Sequence, residues 1–152
     1  MRAINLKTEH LNNPIGIDIT TPYLSWNCAD SRKQTAYEIE AESDGDCFWN
    51  SGKVLTDQMN AIMGKPAESR QKIEWKVRLW DENGSVGEWS EPAVFEIGIV
   101  DKSLFCAKWI NPELTIDPQA HKPASYLRTA FETKGGKCAR LYITCHGLYE
   151  AY

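Results

Sequence analysis

An all-β sandwich is the fold class this sequence predicts, and three observations predict it. Apolar and polar residues alternate with period two in several short runs, the pattern of strands with one buried and one solvated face. Clusters of Gly, Asn, Asp, Ser and Pro separate those runs, and these are the residues that turns require. No segment sustains a 3.6-residue period long enough for a substantial helix.

The elements follow in order. Residues 8–20 read as an extended edge segment, kinked by Pro14 and Gly16. Tyr23-Leu24-Ser25-Trp26-Asn27 is a strand entered through Pro22, with Trp26 pointing inward, and Ala29–Arg32 is a turn. Gln34–Glu42 is the clearest early strand. It puts Tyr37, Ile39 and Ala41 on one face and Glu38, Glu40 and Glu42 on the other. Ser43-Asp44-Gly45-Asp46 is a loop, Phe48–Val54 a short edge strand, Asn60–Met63 a weaker strand, and Gly64–Gln71 a polar connection.

Lys72–Gly98 carries the strongest signal. Ile73, Trp75, Val77 and Leu79 alternate with Lys72, Glu74, Lys76 and Arg78. Asp81-Glu82-Asn83-Gly84 turns the chain. Trp89-Ser90-Glu91-Pro92 and Ala93–Ile97 resume extended backbone, with Pro92 suited to an edge or bulge. The result is about seven short strands, the pattern of an immunoglobulin-like or fibronectin type III sandwich. The acidic outer face of Gln34–Glu42 and the basic outer face of Lys72–Trp80 predict that these two strands are antiparallel neighbours. Each opposite-charge pair is worth about 0.2–1 kcal/mol.

Composition narrows the classes. The chain has 152 residues, 42% of them hydrophobic, and a net charge of −4; its pI is about 5.4. That balance argues against nucleic-acid binding, which needs a basic surface. No apolar run approaches the roughly 20 residues of a membrane helix. No apolar signal-peptide core is seen near the start, and the five cysteines form no paired spacing. Cys28, Cys47, Cys106, Cys138 and Cys145 therefore read as buried or half-buried thiols, and the expected compartment is the cytoplasm. The six Trp and six Tyr suit a β fold and equally suit carbohydrate contact.

After a linker at 99–103 the pattern restarts. Lys108-Trp109-Ile110 is a brief extended piece, 111–123 a proline-containing loop, Tyr126–Phe131 a strand and 134–137 a turn. Ala139–His146 is a further strand, with Leu141, Ile143 and Cys145 facing inward. Residues 104–152 are too few for an independent β domain. The chain is thus expected to be the front of a longer protein. A strand edge at Ala139–Glu150 is expected to be open to self-association.

Several of these pieces resemble the N-terminal region of bacterial α-L-rhamnosidases of glycoside hydrolase family 78. They are Pro22–Trp26, Gln34–Ile39, Trp49–Val54, Trp75–Asp81 and Trp89-Ser90, then Trp109-Ile110, Leu127–Phe131, Ala139–Ile143 and Gly147–Glu150. The resemblance implies a fibronectin-like sandwich over 1–98. An incomplete jelly-roll-type β domain over 104–152 would follow. It also implies a non-catalytic accessory role in an enzyme that removes terminal α-L-rhamnose with inversion. Catalytic acids would lie in a later α/α barrel, so no catalytic residue, metal or cofactor is expected in this chain. The implied partners are the parent's downstream domains and, through the parent, rhamnose-containing glycosides.

The family usually carries tyrosines where Ile73 and Glu74 stand, so a strand-pinning hydroxyl is expected to be missing. The polar Ser69-Arg70-Gln71 run is expected to be a more mobile connection. The alternative is a fibronectin-type protein- or carbohydrate-binding module of a non-enzymatic protein, which Trp89-Ser90 echoes.

Individual residues weigh mostly toward structure. Trp26, Trp75 and Phe95 occupy inward positions and read as core. Trp80 and Trp89 are the candidate site, a carbohydrate or domain-docking surface, with Arg78 stacking on a ring. Asp44, Gly45 and Asp46 lack the ligand set of a calcium loop and read as a turn. Cys145 and His146 point to opposite faces, which sets them against a metal site with Cys138. His10 and His121 have no partners in view.

Overall fold

The structure is a computed structural model that describes residues 1–30, 32–111, 124–132, 135 and 139–151. The 111–123 loop beyond its first residue, most of the 134–137 turn, Cys138 and His121 lie outside the described residues. The chain divides into two compact units, Met1–Ala107 and Lys108–Tyr152.

The first unit is a two-sheet sandwich. Its strands are β1 (Ala3–Thr8), β2 (Ile15–Ile17), β3 (Tyr23–Cys28), β4 (Ala36–Ser43), β5 (Asp46–Asn50), β6 (Val54–Leu55), β7 (Asn60–Ile62), β8 (Lys72–Trp80) and β9 (Ala93–Ile97). The smaller sheet has the order β1-β3-β7. The larger has the order β2-β9-β8-β4-β5, with β6 also on β4. All pairs are antiparallel except β2 with β9, which is parallel.

The expected neighbours β4 and β8 pair antiparallel from Ala36↔Trp80 to Glu42↔Glu74. That register turns Tyr37, Ile39, Ala41, Ile73, Trp75, Val77 and Leu79 into one buried layer. Leu24 and Trp26 of β3 close it from the other sheet, and Phe95 and Ile97 of β9 extend it. Trp26 meets Tyr37 edge-on with ring centroids 5.0 Å apart. Truncating Trp75 or Phe95 to Ala would cost about 3–5 kcal/mol.

The polar atoms inside this core are matched. Trp26 Nε1 donates to Gln34 Oε1 at 3.0 Å, and Gln34 Nε2 donates to the carbonyls of Gln58 at 2.8 Å and Thr56 at 3.3 Å. Trp75 Nε1 donates to Thr8 Oγ1 at 3.2 Å. Ile73 is buried and Glu74 exposed, so no tyrosine hydroxyl pins β8. Ser90 supplies the pin instead: its Oγ accepts from Val77 N at 3.1 Å, and its own N donates to Val77 O at 2.9 Å.

Asp81 organises the turn after β8. Its Oδ1 accepts from Asn83 N and Ser85 N, and its Oδ2 from Arg32 Nη1 at 3.1 Å. These bonds, the one from Ser85 first, hold its carboxyl below the usual range. Asp30 is pushed down to about 2, chiefly by the Cys28 thiol donating to it and then by Arg32. The β4–β5 hairpin turns on Asp44 and Gly45, with φ of 54° and 87°. Positive φ at both central residues is the geometry of a tight hairpin turn, and a turn is what this stretch forms.

Four expectations need correction. The first strand is Ala3–Thr8, ahead of the kinked edge segment, and residues 9–13 interrupt it with positive φ at Glu9, His10 and Asn13. A bulge at Asn5, φ 53°, breaks the alternation that would have announced β1.

The Ser69-Arg70-Gln71 run is tied down rather than loose. Ser69 Oγ accepts from Val100 N and Asp101 N. Arg70 N donates to the carbonyls of Ile97 and Gly98, and Gln71 Oε1 accepts from Glu68 N. The bonds to residues 97–101 are made because Arg70 adopts φ 67°. Cys47 and Cys106 are exposed thiols, since both sit on edge or loop backbone with no layer over them.

The fourth correction concerns the second unit, which has no assigned strand among its described residues. Tyr126–Phe131 and Ala139–His146 are not strands there. Leu141 and Ile143 are 69% and 46% exposed, not inward-facing. Alternation specifies a face that needs a covering layer, and no described residues of this unit provide one. Cys145 Sγ donates to Gly147 O, and His146 stacks on Trp109 with centroids 4.2 Å apart.

Two predictions follow from this geometry. Gln34→Ala orphans the Trp26 indole N–H and two carbonyls, and urea unfolding should show a loss of about 2–4 kcal/mol. Asp30 and Asp81 have lowered carboxyl pKa values, so their contribution is complete above the unfolded carboxylate value of about 4. The part from Asp30 is lost as pH falls toward about 2, and the part from Asp81 as pH falls through its own lowered pKa. Thermal midpoints should drop between pH 4 and 2, and the doubly substituted Asp30→Asn, Asp81→Asn chain should show a shallower drop.

Candidate functional site

The outer face of the larger sheet is where the sequence-predicted candidates fall. Strand β8 alternates, so Trp80, Arg78 and Lys76 share its solvent side. Trp89 arrives from the following segment because Ser90 is locked to Val77, which sets Trp89 beside Arg78. The structure therefore brings Trp80 and Trp89 together, with a cation between them.

The result is a ladder of alternating cations and rings. The Arg78 guanidinium carbon lies 5.3 Å from the Trp80 ring centroid and 4.7 Å from that of Trp89. Lys53 Nζ sits 4.6 Å from the Trp80 centroid, and Lys76 Nζ 5.3 Å from that of Trp89. Each such contact is worth about 0.5–1 kcal/mol at a solvated site. Both indoles are half-buried.

Acids of β4 fix the cations from the other side. Arg78 Nη2 lies 2.7 Å from Glu38 Oε2, and its Nε donates to the same oxygen at 2.9 Å. Lys76 Nζ lies 2.9 Å from Glu40 and 3.5 Å from Glu42. The bond to Glu40 is the first cause of a raised Lys76 pKa. Lys72, expected on the same acidic face, instead stands opposite Glu96 of β9. With the cations compensated, the ladder presents apolar ring surface in a nearly neutral frame.

Lys53 was not foreseen, because it reaches Trp80 from the loop between β5 and β6 rather than along β8. No spacing in the sequence announces that contact. Among the described residues no three His, Cys, Asp or Glu side chains form a metal-holding group. His10 packs its ring against Tyr23 at 5.1 Å.

Known proteins with this pattern are consistent with the geometry. The family model described as "Rha78A-like, N-terminal immunoglobulin domain" matches residues 3–101. An α-L-rhamnosidase of Alteromonas sp. strain LOR is 32% identical over 162 aligned residues, covering 95% of this chain and 18% of that protein. One from Streptomyces avermitilis is 34% identical, covering 73% of this chain and 12% of that protein. Among solved structures, an α-L-rhamnosidase from Dictyoglumus thermophilum superposes with a TM-score of 0.66 at 32% identity. It covers 73% of this chain and 14% of that one. The chain thus spans less than a fifth of the length of these relatives.

The wedge position of Arg78 gives a direct test. Arg78→Ala removes two ring contacts and the Glu38 pair, and chemical denaturation should show a loss of about 1–2 kcal/mol. Arg78→Lys should recover only part of this, because an ammonium lacks the planar fork.

Proposed function

The chain belongs to the family of Rha78A-like N-terminal immunoglobulin domains. From that premise we propose that it is the non-catalytic accessory part of an inverting α-L-rhamnosidase. The match over residues 3–101 carries the reading. The parent would hydrolyse terminal α-L-rhamnose from glycosides, with its catalytic acids beyond this chain.

The electrostatics support inactivity of this part. A glycosidase general acid needs a raised pKa, with a second carboxylate across the sugar. Among the described residues, the carboxyls with a shifted pKa, Asp30, Asp81 and Asp101, are all shifted down, with hydrogen bonds the first cause. Glu38, Glu40 and Glu42 are committed to Arg78 and Lys76.

The likeness to the Alteromonas enzyme extends over 95% of the chain, past the end of the family match at residue 101. That supports reading residues 1–98 as one domain and 104–152 as the opening of a second β domain. On this reading the Trp80–Trp89 ladder serves docking within the parent rather than sugar stacking. Each indole already has two cations over it, and a stacking sugar would have to displace one.

The test uses a chromogenic α-L-rhamnoside. The 152-residue chain alone should release no chromophore above a buffer blank. The product of the full reading frame should cleave it, with β-L-rhamnose appearing first by proton NMR. Turnover by the chain alone, or a reading frame that stops near Tyr152, would overturn the proposal.

A further inference from the structure

A cleft of about 400 Å³ opens in the first unit between β1, the Asn12-Asn13 turn and the segment leading into β9. It is separate from the Trp80–Trp89 ladder and shares no residue with it. Its volume lies toward the lower end of the roughly 300–1,000 Å³ range of small-molecule sites. We propose that this cleft binds a neutral sugar ring. The inference concerns the first unit by itself and stands whether or not the accessory-domain reading holds.

The chemistry of the lining selects the ligand class. Arg2, Asn5, Asn12, Asn13 and Glu91 supply the polar groups. Each asparagine amide offers two donors and an acceptor, the guanidinium offers only donors, and the carboxylate only acceptors. Arg2 Nη2 bonds to Glu91 Oε1 across the cleft, so the two charges cancel. An anion would gain Arg2 and meet Glu91; a cation would face the reverse. A polyhydroxyl ligand, whose groups both donate and accept without net charge, fits every polar partner present. Ile4 and Pro92, which also line the cleft, give an apolar surface for the C–H face of a ring.

A further observation points the same way. Asn5 and Asn13 hold φ of 53° and 45°, a conformation that costs energy outside glycine. Such strain gathers at ligand-holding sites. Asn13 Oδ1 already accepts from Val94 N at 2.9 Å, which fixes its amide group in place and leaves its NH₂ to donate.

An added peptide strand is the competing occupant for a groove beside β1. The bulge at Asn5 breaks the regular ladder that a pairing strand needs, and the Arg2–Glu91 bond bridges the groove. A compact ring fits this geometry better than an extended chain.

Amide-resolved NMR of the full 152-residue chain tests the proposal. L-Rhamnose and methyl α-D-mannopyranoside serve as neutral probes, and sulfate and ammonium as charged controls. At least one sugar should shift the signals of residues 2–6, 12–13 and 91–93 saturably, with Kd in about the millimolar range. Sulfate and ammonium should leave them in place. Asn12→Ala, in an exposed turn, should weaken binding by about three- to tenfold. Glu91→Gln should convert the site to one that sulfate also shifts. Unmoved cleft signals at saturating sugar would overturn the proposal. So would unchanged affinity in a folded Asn12→Ala chain, or a response to sulfate alone in the unsubstituted one.

Discussion

The register between β4 and β8 is the constraint on which the rest of the first unit depends. Side chains alternate along both strands, so one set of pairings decides two surfaces at once. With Ile39 opposite Val77 and Glu40 opposite Lys76, the apolar set faces the other sheet and the charged set faces water. A slip of one residue would send Trp75 outward and bury Lys76. The same register positions Arg78 between two indoles, because Ser90 reads its place from Val77. Core and outer ladder are therefore one arrangement seen from two sides.

Buried polar atoms make that arrangement unique. Apolar layers tolerate approximate packing, but an indole N–H in a dry core needs its acceptor in one place. Trp26 finds Gln34 and Trp75 finds Thr8. Thr8 belongs to the smaller sheet and Trp75 to the larger, so this bond fixes how the two sheets face each other. Gln34 in turn holds the 56–58 connection through its amide. Mispacked alternatives would leave these groups unsatisfied, at about 1–3 kcal/mol each.

What the sequence made legible follows the same physics. Strands β3, β4 and β8 were readable because each has one buried and one wetter side. The pairing of β4 with β8 was readable because opposite charges lie on their outer faces. Strand β1 was hidden, since a bulge at Asn5 breaks its alternation. Trp80 and Trp89 could be named as candidates, but their sharing of Arg78 depends on the Ser90 latch. Lys53 comes from a loop, and no periodicity encodes that. The cleft beside β1 was equally invisible, because it joins residues near 2–13 to residues near 91–93. In the second unit alternation misled, since Leu141 and Ile143 keep the pattern of a strand while no layer among the described residues covers them.

The parallel pairing of β2 with β9 has a consequence for how this protein is made. Ile15 and Ile17 lie against Glu96 and Ile97, and Pro14 O accepts from Glu96 N. These are the first and last strands of the larger sheet, so the sheet cannot close on a growing chain until residue 97 has left the ribosome. At about 5–20 residues per second, the early segment waits on the order of ten seconds for its partner. Contacts of such long sequence separation also slow the folding step itself. Completion of the larger sheet is thus bound to the end of this unit's synthesis, and Ile15–Ile17 spend that interval without their strand partner.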